Sequence, residues 1–289
     1  MSFIGNKKIV SLLEQSRAQK RLAQAYLFAG PERVGKRTLA ERFALELITG
    51  KDFAALSENE ITQARFDLLS LSPEEVEKRG VTKEKAISVE QVREAIGALA
   101  TYPYAGLRKV LVVDGADKLR REAQNALLKT LEEPNSTSTI ILVANDRQSL
   151  LPTIRSRCRH INFSLVSTKE LQLLGTEFSE AIPLSLGRPG LAISLAQNKK
   201  ALTETREWSE QMKQLEGQSV TERMRLSERL SKNVPKAIEQ LKFLLWQVHE
   251  RSTDVTSLAL AGKIAATIQT LETTNANARL AIDALLLDL

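Results

Sequence analysis

Residues 30–38 decide the fold of this chain, and they read Gly30-Pro31-Glu32-Arg33-Val34-Gly35-Lys36-Arg37-Thr38. The first seven match the start of the pattern G-x-x-x-x-G-K-[ST], in which backbone N–H groups and a lysine bind phosphates. An apolar run, 25–29, precedes the stretch, and a helical pattern, 37–48, follows it. Because this is the order of strand, loop and helix that the pattern requires, we predict a phosphate-binding loop. The alternative is a basic turn that opens an ordinary helix.

The end of the pattern is altered, and the alteration concerns the metal rather than the phosphates. Arg37 stands where a serine or threonine hydroxyl would ligate Mg²⁺, and a guanidinium cannot ligate a cation. Thr38 lies one position further along, which is about 100° around the helix. The sequence therefore leaves binding of ATP or ADP open but argues against a magnesium site.

Two further apolar runs predict the rest of a parallel sheet. Residues 110–113 and 140–143 are continuous and rich in β-branched side chains, as strands buried on both faces are. Asp114 ends the first run and could hold Mg²⁺ through water, whereas Gly115 follows where many ATPases of this build have a water-activating glutamate. Asn145 follows the second run. The alternation of strands and helices indicates a doubly wound α/β domain that binds ligands beyond the carboxyl ends of its strands.

Capping signatures and apolar periodicity predict the helices. Ser72-Pro73-Glu74-Glu75 and Ser88-Val89-Glu90-Gln91 both have the form of a helix start. Another helix is predicted over 120–132. After about residue 165 no strand-like run appears, and helical spacing takes over, with a break expected at Pro235.

The composition is that of an ordinary globular protein, with 43% apolar and 26% charged residues over 289 positions. No apolar run approaches the roughly 20 residues of a membrane-spanning helix. Residues 1–8 lack the apolar core of a signal peptide, so we expect a cytoplasmic protein with no membrane partner. Cys158 is the single cysteine, and with only His160 and His249 available it forms neither a disulfide nor a Cys/His zinc site. The net charge of +6 suits a partner with phosphates.

Four stretches together resemble the bacterial clamp-loader AAA+ subunits of DNA polymerase III, and the delta-prime branch of that family in particular. They are residues 30–38, residues 114–117, Asn125-Ala126-Leu127-Leu128-Lys129-Thr130-Leu131-Glu132-Glu133-Pro134 and Ile154-Arg155-Ser156-Arg157-Cys158. The third stretch and the Ser-Arg-Cys triplet of the fourth are far more specific than a phosphate loop alone. The likeness covers almost the whole chain.

The resemblance implies an architecture and a set of partners. It implies a P-loop AAA+ (RecA-like) parallel-sheet domain over 1–165, a small helical lid domain over 166–205 and an all-α C-terminal collar domain over 206–289. The collar would join other clamp-loader subunits, gamma/tau and delta, in a hetero-pentameric ring. Such a ring opens the sliding clamp and loads it on primer–template DNA.

The resemblance also implies roles for single residues. Arg157 would enter the nucleotide site of a neighbouring subunit as an arginine finger, where a guanidinium stabilises charge on the transferred phosphoryl group. The alternative for Arg157 is a surface or DNA-facing arginine. Asn145 matches the sensor 1 position near the γ-phosphate, or is a strand-ending turn residue, and Gly190, with Arg188 nearby, aligns where hydrolysing relatives have an arginine. The predicted nucleotide-binding residues are Gly30, Val34, Gly35, Lys36, Arg37, Thr38, Asp114 and Asn145.

Other residues have less specific assignments. Arg120 and Arg121 are candidate contacts to the DNA backbone, or else a solvated helix start. Asp117 is expected to be a surface carboxylate or the N-cap of the helix 120–132. Cys158 is expected to be a packed, inert thiol. The zinc-binding cysteines that many relatives carry after the phosphate-loop helix are absent, so we expect no zinc.

Three functions stay open on the sequence alone. The first is a ring member that hydrolyses ATP weakly or not at all and gives Arg157 to a partner ATPase, because Arg37, Gly115 and Gly190 all depart from the hydrolysing pattern. The second is an active ATPase like the gamma/tau subunits, supported by the intact Gly35-Lys36 pair. The third is a nucleotide-binding scaffold with no DNA role.

Overall fold

The computed structural model describes residues 3–78, 81–213, 219–251, 255–273 and 276–287. The chain divides into two compact units, one of Met1–Leu174 with Gly187–Gly190 and the other of Gly175–Leu186 with Leu191–Leu289. Within the described residues, all strands lie in the first unit, and the second unit is helical. The three-domain division at residues 165 and 205 stays a prediction.

The first unit is built on a parallel sheet. The strands of the described residues are β1 Ala25–Ala29, β2 Leu68–Leu71, β3 Glu74–Lys78, β4 Val81–Lys85, β5 Lys109–Asp114, β6 Ser138–Ala144 and β7 Arg159–Asn162. Strands β2-β5-β6-β1-β7, in that order, form a sheet in which every pair is parallel. Strands β3 and β4 form a separate antiparallel pair.

The central strands are buried on both faces because successive side chains of a strand point to opposite sides of the sheet. In one core cluster, Leu27 of β1 packs with Leu111 of β5 and Leu142 of β6. The other cluster contains their neighbours Tyr26 and Phe28. The three apolar runs that predicted buried strands are therefore confirmed, and with them the α/β fold.

Helices flank the sheet. Those of the first unit are α1 Lys7–Ala18, α2 Lys36–Thr49, α3 Glu58–Ala64, α4 Val89–Leu99, α5 Arg121–Glu132, α6 Pro152–Arg155 and α7 Thr168–Leu171. The capping box predicted for α4 is confirmed: Ser88 Oγ accepts a hydrogen bond from the Gln91 N–H at 3.3 Å, and Gln91 Oε1 accepts one from the Ser88 N–H at 2.9 Å. The helix predicted over 120–132 is confirmed as α5.

The helix start predicted at Ser72-Pro73-Glu74-Glu75 is wrong, since Glu74–Lys78 is strand β3. Its backbone pairs with β4, with Glu74 opposite Lys85 and Lys78 opposite Val81. Proline is tolerated immediately before a strand as well as at a helix start, so Pro73 does not distinguish the two. The backbone of this segment is satisfied by the antiparallel pairing of β3 with β4.

The remaining helices are α8 Pro189–Gln197, α9 Lys199–Lys213, α10 Val220–Ser231, α11 Val234–Arg251, α12 Val255–Thr273 and α13 Ala278–Leu287. Leu230 of α10, Leu241 of α11 and Ile264 of α12 share one buried cluster, so the helical spacing predicted after about residue 165 is confirmed for this part of the chain. The predicted break is confirmed too, because α10 ends at Ser231 and Pro235 is the second residue of α11. Among the residues described, no helix has the length and apolarity needed to cross a membrane.

A buried carboxylate fixes the loop between α4 and β5. Asp67 has no exposed surface. Its carboxylate accepts hydrogen bonds from the backbone N–H groups of Tyr104 at 2.6 Å and of Ala105 and Gly106 at 2.8 Å each. The loop held in this way leaves Tyr104 81% exposed. Since a buried carboxylate without partners is costly, these bonds tie the loop to the sheet unit.

We predict that Asp67→Asn destabilises the protein, because one oxygen acceptor becomes an NH₂ donor that faces backbone donors. The expected loss is about 1 to 3 kcal/mol in the free energy of unfolding, measured by denaturant titration. Glu133→Gln is the control, since it makes the same change of carboxylate to amide at an exposed position. Equal losses in the two variants would contradict the role given to Asp67.

Candidate nucleotide site and the Ser-Arg-Cys segment

The phosphate loop borders a cleft of about 510 Å³ at the carboxyl ends of β1, β5 and β6. Among the predicted nucleotide-binding residues, the cleft is lined by Gly35, Lys36, Arg37, Thr38, Asp114 and Asn145. Gly30 and Val34 do not line the cleft, and they pack against the core instead. Val34 is fully buried in the core, and a side chain at Gly30, whose φ is +146°, would meet the Phe163 carbonyl oxygen at 2.4 Å.

Lys36 is buried and held inside the loop. It is 5% exposed, and its Nζ donates to the carbonyl oxygens of Gly30 at 2.7 Å and Pro31 at 2.5 Å and to Asn145 Oδ1 at 2.9 Å. Burial lowers the pKa of Lys36 to about 8, while the negative charge of Glu32 acts in the opposite direction. The ammonium group is therefore charged at neutral pH. Because its three N–H donors already have partners, Lys36 would have to exchange at least one of them to bind a phosphate oxygen.

Asn145 links the two sides of the cleft. Besides accepting from Lys36, it donates from Nδ2 to Glu32 Oε1 at 3.1 Å, and its backbone N–H donates to Asp117 Oδ1 at 3.3 Å. Asp117 does not cap α5, which begins after Arg120. The contacts of Asn145 with Glu32 and with Asp117 were not predicted. Nothing in the sequence indicates that either carboxylate would lie next to Asn145.

Arg37 pairs with the carboxylate that would hold a metal. Its Nη1 lies 3.4 Å from Asp114 Oδ2, and its Nε donates to Glu41 Oε1 at 2.8 Å. Burial raises the pKa of Asp114, and the charges of Arg37 and Lys36 oppose this shift. The guanidinium therefore supplies positive charge at the end of β5.

These residues do not fit the Mg²⁺ ion that accompanies nucleotides in P-loop proteins. Mg²⁺ requires oxygen ligands in near-octahedral geometry, and the position of the usual hydroxyl ligand is taken by Arg37, which has none. Asp114 already has the Arg37 guanidinium as its cation. In the part of the chain that the structure describes, no group of three or more His, Cys, Asp or Glu side chains could hold a metal.

Gly115 and Gly190, the two positions that the sequence motifs marked as departures from a hydrolysing site, both line the cleft. Gly115 has φ of +72°, and a Cβ there would lie 3.0 Å from Pro73 Cγ. The Gly190 N–H donates to the Arg33 carbonyl oxygen at 2.9 Å, and a Cβ on Gly190 would lie 3.0 Å from that oxygen. A side chain at either position would crowd its neighbours, and at Gly115 it would also be strained by the positive φ.

The Ser-Arg-Cys segment lies outside the cleft of its own chain, directly after α6. Arg157 donates from Nη1 to the Thr153 carbonyl oxygen at 2.9 Å and from Nη2 to Glu132 Oε1 at 2.8 Å. Its side chain is 34% exposed. Arg120 and Arg121 are exposed at the start of α5, where Arg120 makes no side-chain cap. A basic helix start is not favoured by the helix dipole.

A family model described as DNA polymerase III, delta subunit, matches residues 5–167, which is more than half of the chain. The chain belongs to this family. The resemblance to delta-prime clamp-loader subunits drawn from the sequence motifs is confirmed, and so is the P-loop AAA+ fold class.

Individual relatives cover only part of the chain. The delta' subunit of DNA polymerase III from Pseudomonas aeruginosa is 38% identical over 143 residues, which are 47% of this chain and 42% of that protein. The tau/gamma subunit from Haemophilus influenzae is 35% identical over 177 residues, 59% of this chain and 24% of that protein. The matched part therefore spans less than half the length of either relative. Among solved structures, a RuvB mutant of Thermotoga maritima has 17% identity and a TM-score of 0.49, covering 96% of this chain and 88% of that chain.

Cys158 allows a direct test of the packing around the triplet. It is 9% exposed within a core cluster, and burial raises its pKa to about 12. At pH 8 only about 10⁻⁴ of such a thiol is ionised, against roughly a quarter in an unfolded chain. We predict that alkylation of the native protein at pH 8 is at least about 100-fold slower than alkylation of the denatured protein. Because Cys158 is the single cysteine, Cys158→Ser provides the blank, and rapid labelling of native protein would contradict the inert assignment.

Proposed function

We propose that this chain is a clamp-loader subunit of DNA polymerase III that hydrolyses ATP weakly or not at all and supplies Arg157 to a neighbouring ATPase subunit. It assembles with gamma/tau and delta subunits in a ring that opens the sliding clamp and loads it on primed DNA. Family membership supports the clamp-loader role, and the delta' relative supports the delta-prime place in the ring.

The observation that carries the catalytic part of the proposal is the Arg37–Asp114 ion pair, with its 3.4 Å separation. Hydrolysis by a P-loop enzyme uses a metal to neutralise charge on the β- and γ-phosphates and a polar group to orient water. Arg37 occupies the position of the hydroxyl ligand and neutralises Asp114, the carboxylate that would attract the metal. Gly115 has no side chain that could orient the attacking water. We therefore expect the cleft to keep its phosphate-binding groups but to lack the groups that hydrolysis needs.

The surroundings of Arg157 support a role in trans. Its partner Glu132 is half exposed, and Arg157 itself is one-third exposed. An ion pair of this exposure contributes about 1 kcal/mol or less. Arg157 therefore loses little stabilisation if it leaves Glu132 for a phosphate oxygen bound to a neighbouring subunit. A bidentate guanidinium also suits the planar charge of a transferring phosphoryl group.

An active ATPase of the gamma/tau kind is the second candidate. It is supported by the tau/gamma relative and by the intact Lys36. The Arg37–Asp114 pair and the two glycines at 115 and 190 weigh against it, so the first proposal is preferred.

We predict that Arg157→Ala, introduced into a ring reconstituted with its partner subunits, removes hydrolysis at the one site that receives the finger. Loss of an arginine finger lowers turnover at its site by roughly 10³-fold or more. Single-turnover ATP hydrolysis in the presence of clamp and primed DNA measures the missing fraction.

The matched control for this variant is Arg147→Ala, which removes the same charge from an exposed position near the segment. Size-exclusion chromatography of both rings checks that the assembly is intact. If the intact Arg157→Ala ring hydrolysed ATP like the control ring, the finger assignment would be wrong.

We also predict that the isolated full chain with ATP and Mg²⁺ shows kcat below about 0.01 s⁻¹, at least 100-fold under the usual enzyme range. The reason is the missing metal ligand at Arg37. Lys36→Ala serves as the control, because any true turnover in this cleft depends on Lys36. Turnover near 1 s⁻¹ that Lys36→Ala abolished would favour the gamma/tau-like alternative.

A further inference from the structure

The cleft retains the parts that bind phosphate and lacks the parts that bind metal. Helix α2 begins at the loop with Gly35 as its N-cap at φ of +94°, and the first residue of the helix is the buried Lys36. A helix N-terminus and a lysine both favour anions. The phosphate-binding residues are thus present although the metal ligands are missing.

We propose that this cleft binds the phosphates of a nucleoside di- or triphosphate without a metal ion, with the Arg37 guanidinium in place of the metal. The inference rests on the cleft being the nucleotide site of the proposed function, but not on the role of Arg157.

The position of Arg37 supports this substitution. It follows Lys36 directly in the first turn of α2, and its guanidinium bridges Asp114 at the end of β5 and Glu41 one turn further along the helix. These two carboxylates hold the guanidinium at the cleft that Lys36 also lines. A guanidinium has more N–H donors than these two bonds use, and its planar fork matches phosphate oxygens. With 55% of its side chain exposed, Arg37 can turn towards a ligand without unpacking the core.

The charge around Asp114 explains why metal brings no benefit. In a metal-dependent site the carboxylate at the strand end attracts Mg²⁺, but here Arg37 already neutralises it. Binding Mg²⁺ at Asp114 would require the pair to separate and would still find no hydroxyl ligand. In solution Mg²⁺ also lowers the negative charge of the nucleotide, which reduces its attraction to Lys36 and Arg37.

The test is a calorimetric titration of the full chain with ADP and with ATP, in EDTA and in excess Mg²⁺. For each nucleotide, we expect the Kd in EDTA to be within about threefold of the Kd in Mg²⁺, or lower. The variant Arg37→Thr restores a hydroxyl at the metal position and frees Asp114. It is expected to weaken binding in EDTA at least tenfold and to make the remaining binding depend on Mg²⁺.

Arg65→Thr is the matched control, because it removes the same charge from an exposed position that does not line the cleft. Binding that requires Mg²⁺ in the unmodified chain overturns the proposal, as does binding in EDTA that Arg37→Thr leaves unchanged. If neither nucleotide binds under any condition, the proposal also fails. The ring assay with Arg157→Ala is independent of this result, so failure here leaves the proposed role of Arg157 standing.

Discussion

The parallel pairing of β1, β5 and β6 is the constraint on which the cleft depends. Each strand is buried on both faces, and its alternate side chains pack into two core clusters. Because the three strands run in the same direction, their carboxyl ends meet at one edge. The phosphate loop, Asp114 and Asn145 are brought together there although more than 100 residues separate the first from the last. The chemistry of the cleft then depends on which side chains follow the strands.

Much of this arrangement follows from local sequence, and the exceptions have physical reasons. The central strands carry continuous apolar runs, whereas β2 and β7 lie at the edges of the sheet and are only partly buried, so no such pattern marked them. The bounds of helix α9 were also not predicted, although helical structure was expected in that region, because its apolar side chains are sparse. The helix expected at Ser72 failed because a capping signature describes a local preference, while β3 is decided by its partner strand.

The candidate site shows the same division. The loop, Asp114 and Asn145 could be placed from motif and strand order. The partners that determine their chemistry could not, because Glu32 and Asp117 come to Asn145 only through the fold. The Arg37–Asp114 contact is an intermediate case. The sequence marked Arg37 as a departure from the motif and Asp114 as a possible metal ligand, but their contact depends on the packing of α2 against β5. Asp67 had no sequence signal beyond a carboxylate next to an apolar run.

The proposal that this cleft hydrolyses ATP weakly or not at all is supported by the backbone as well as by side chains. Replacing Arg37 alone would return a hydroxyl, but Gly115 has a positive φ and lies close to Pro73, so a side chain there would be strained. Gly190 is bonded through its N–H to Arg33, whose own φ is +59°, and any Cβ at 190 would press on that carbonyl. Side chains at 115 and 190 would therefore strain or crowd the backbone at both positions. Under the proposed function, the contribution of this chain to hydrolysis has to come from a residue outside the cleft, and we assign it to Arg157, whose side chain is one-third exposed.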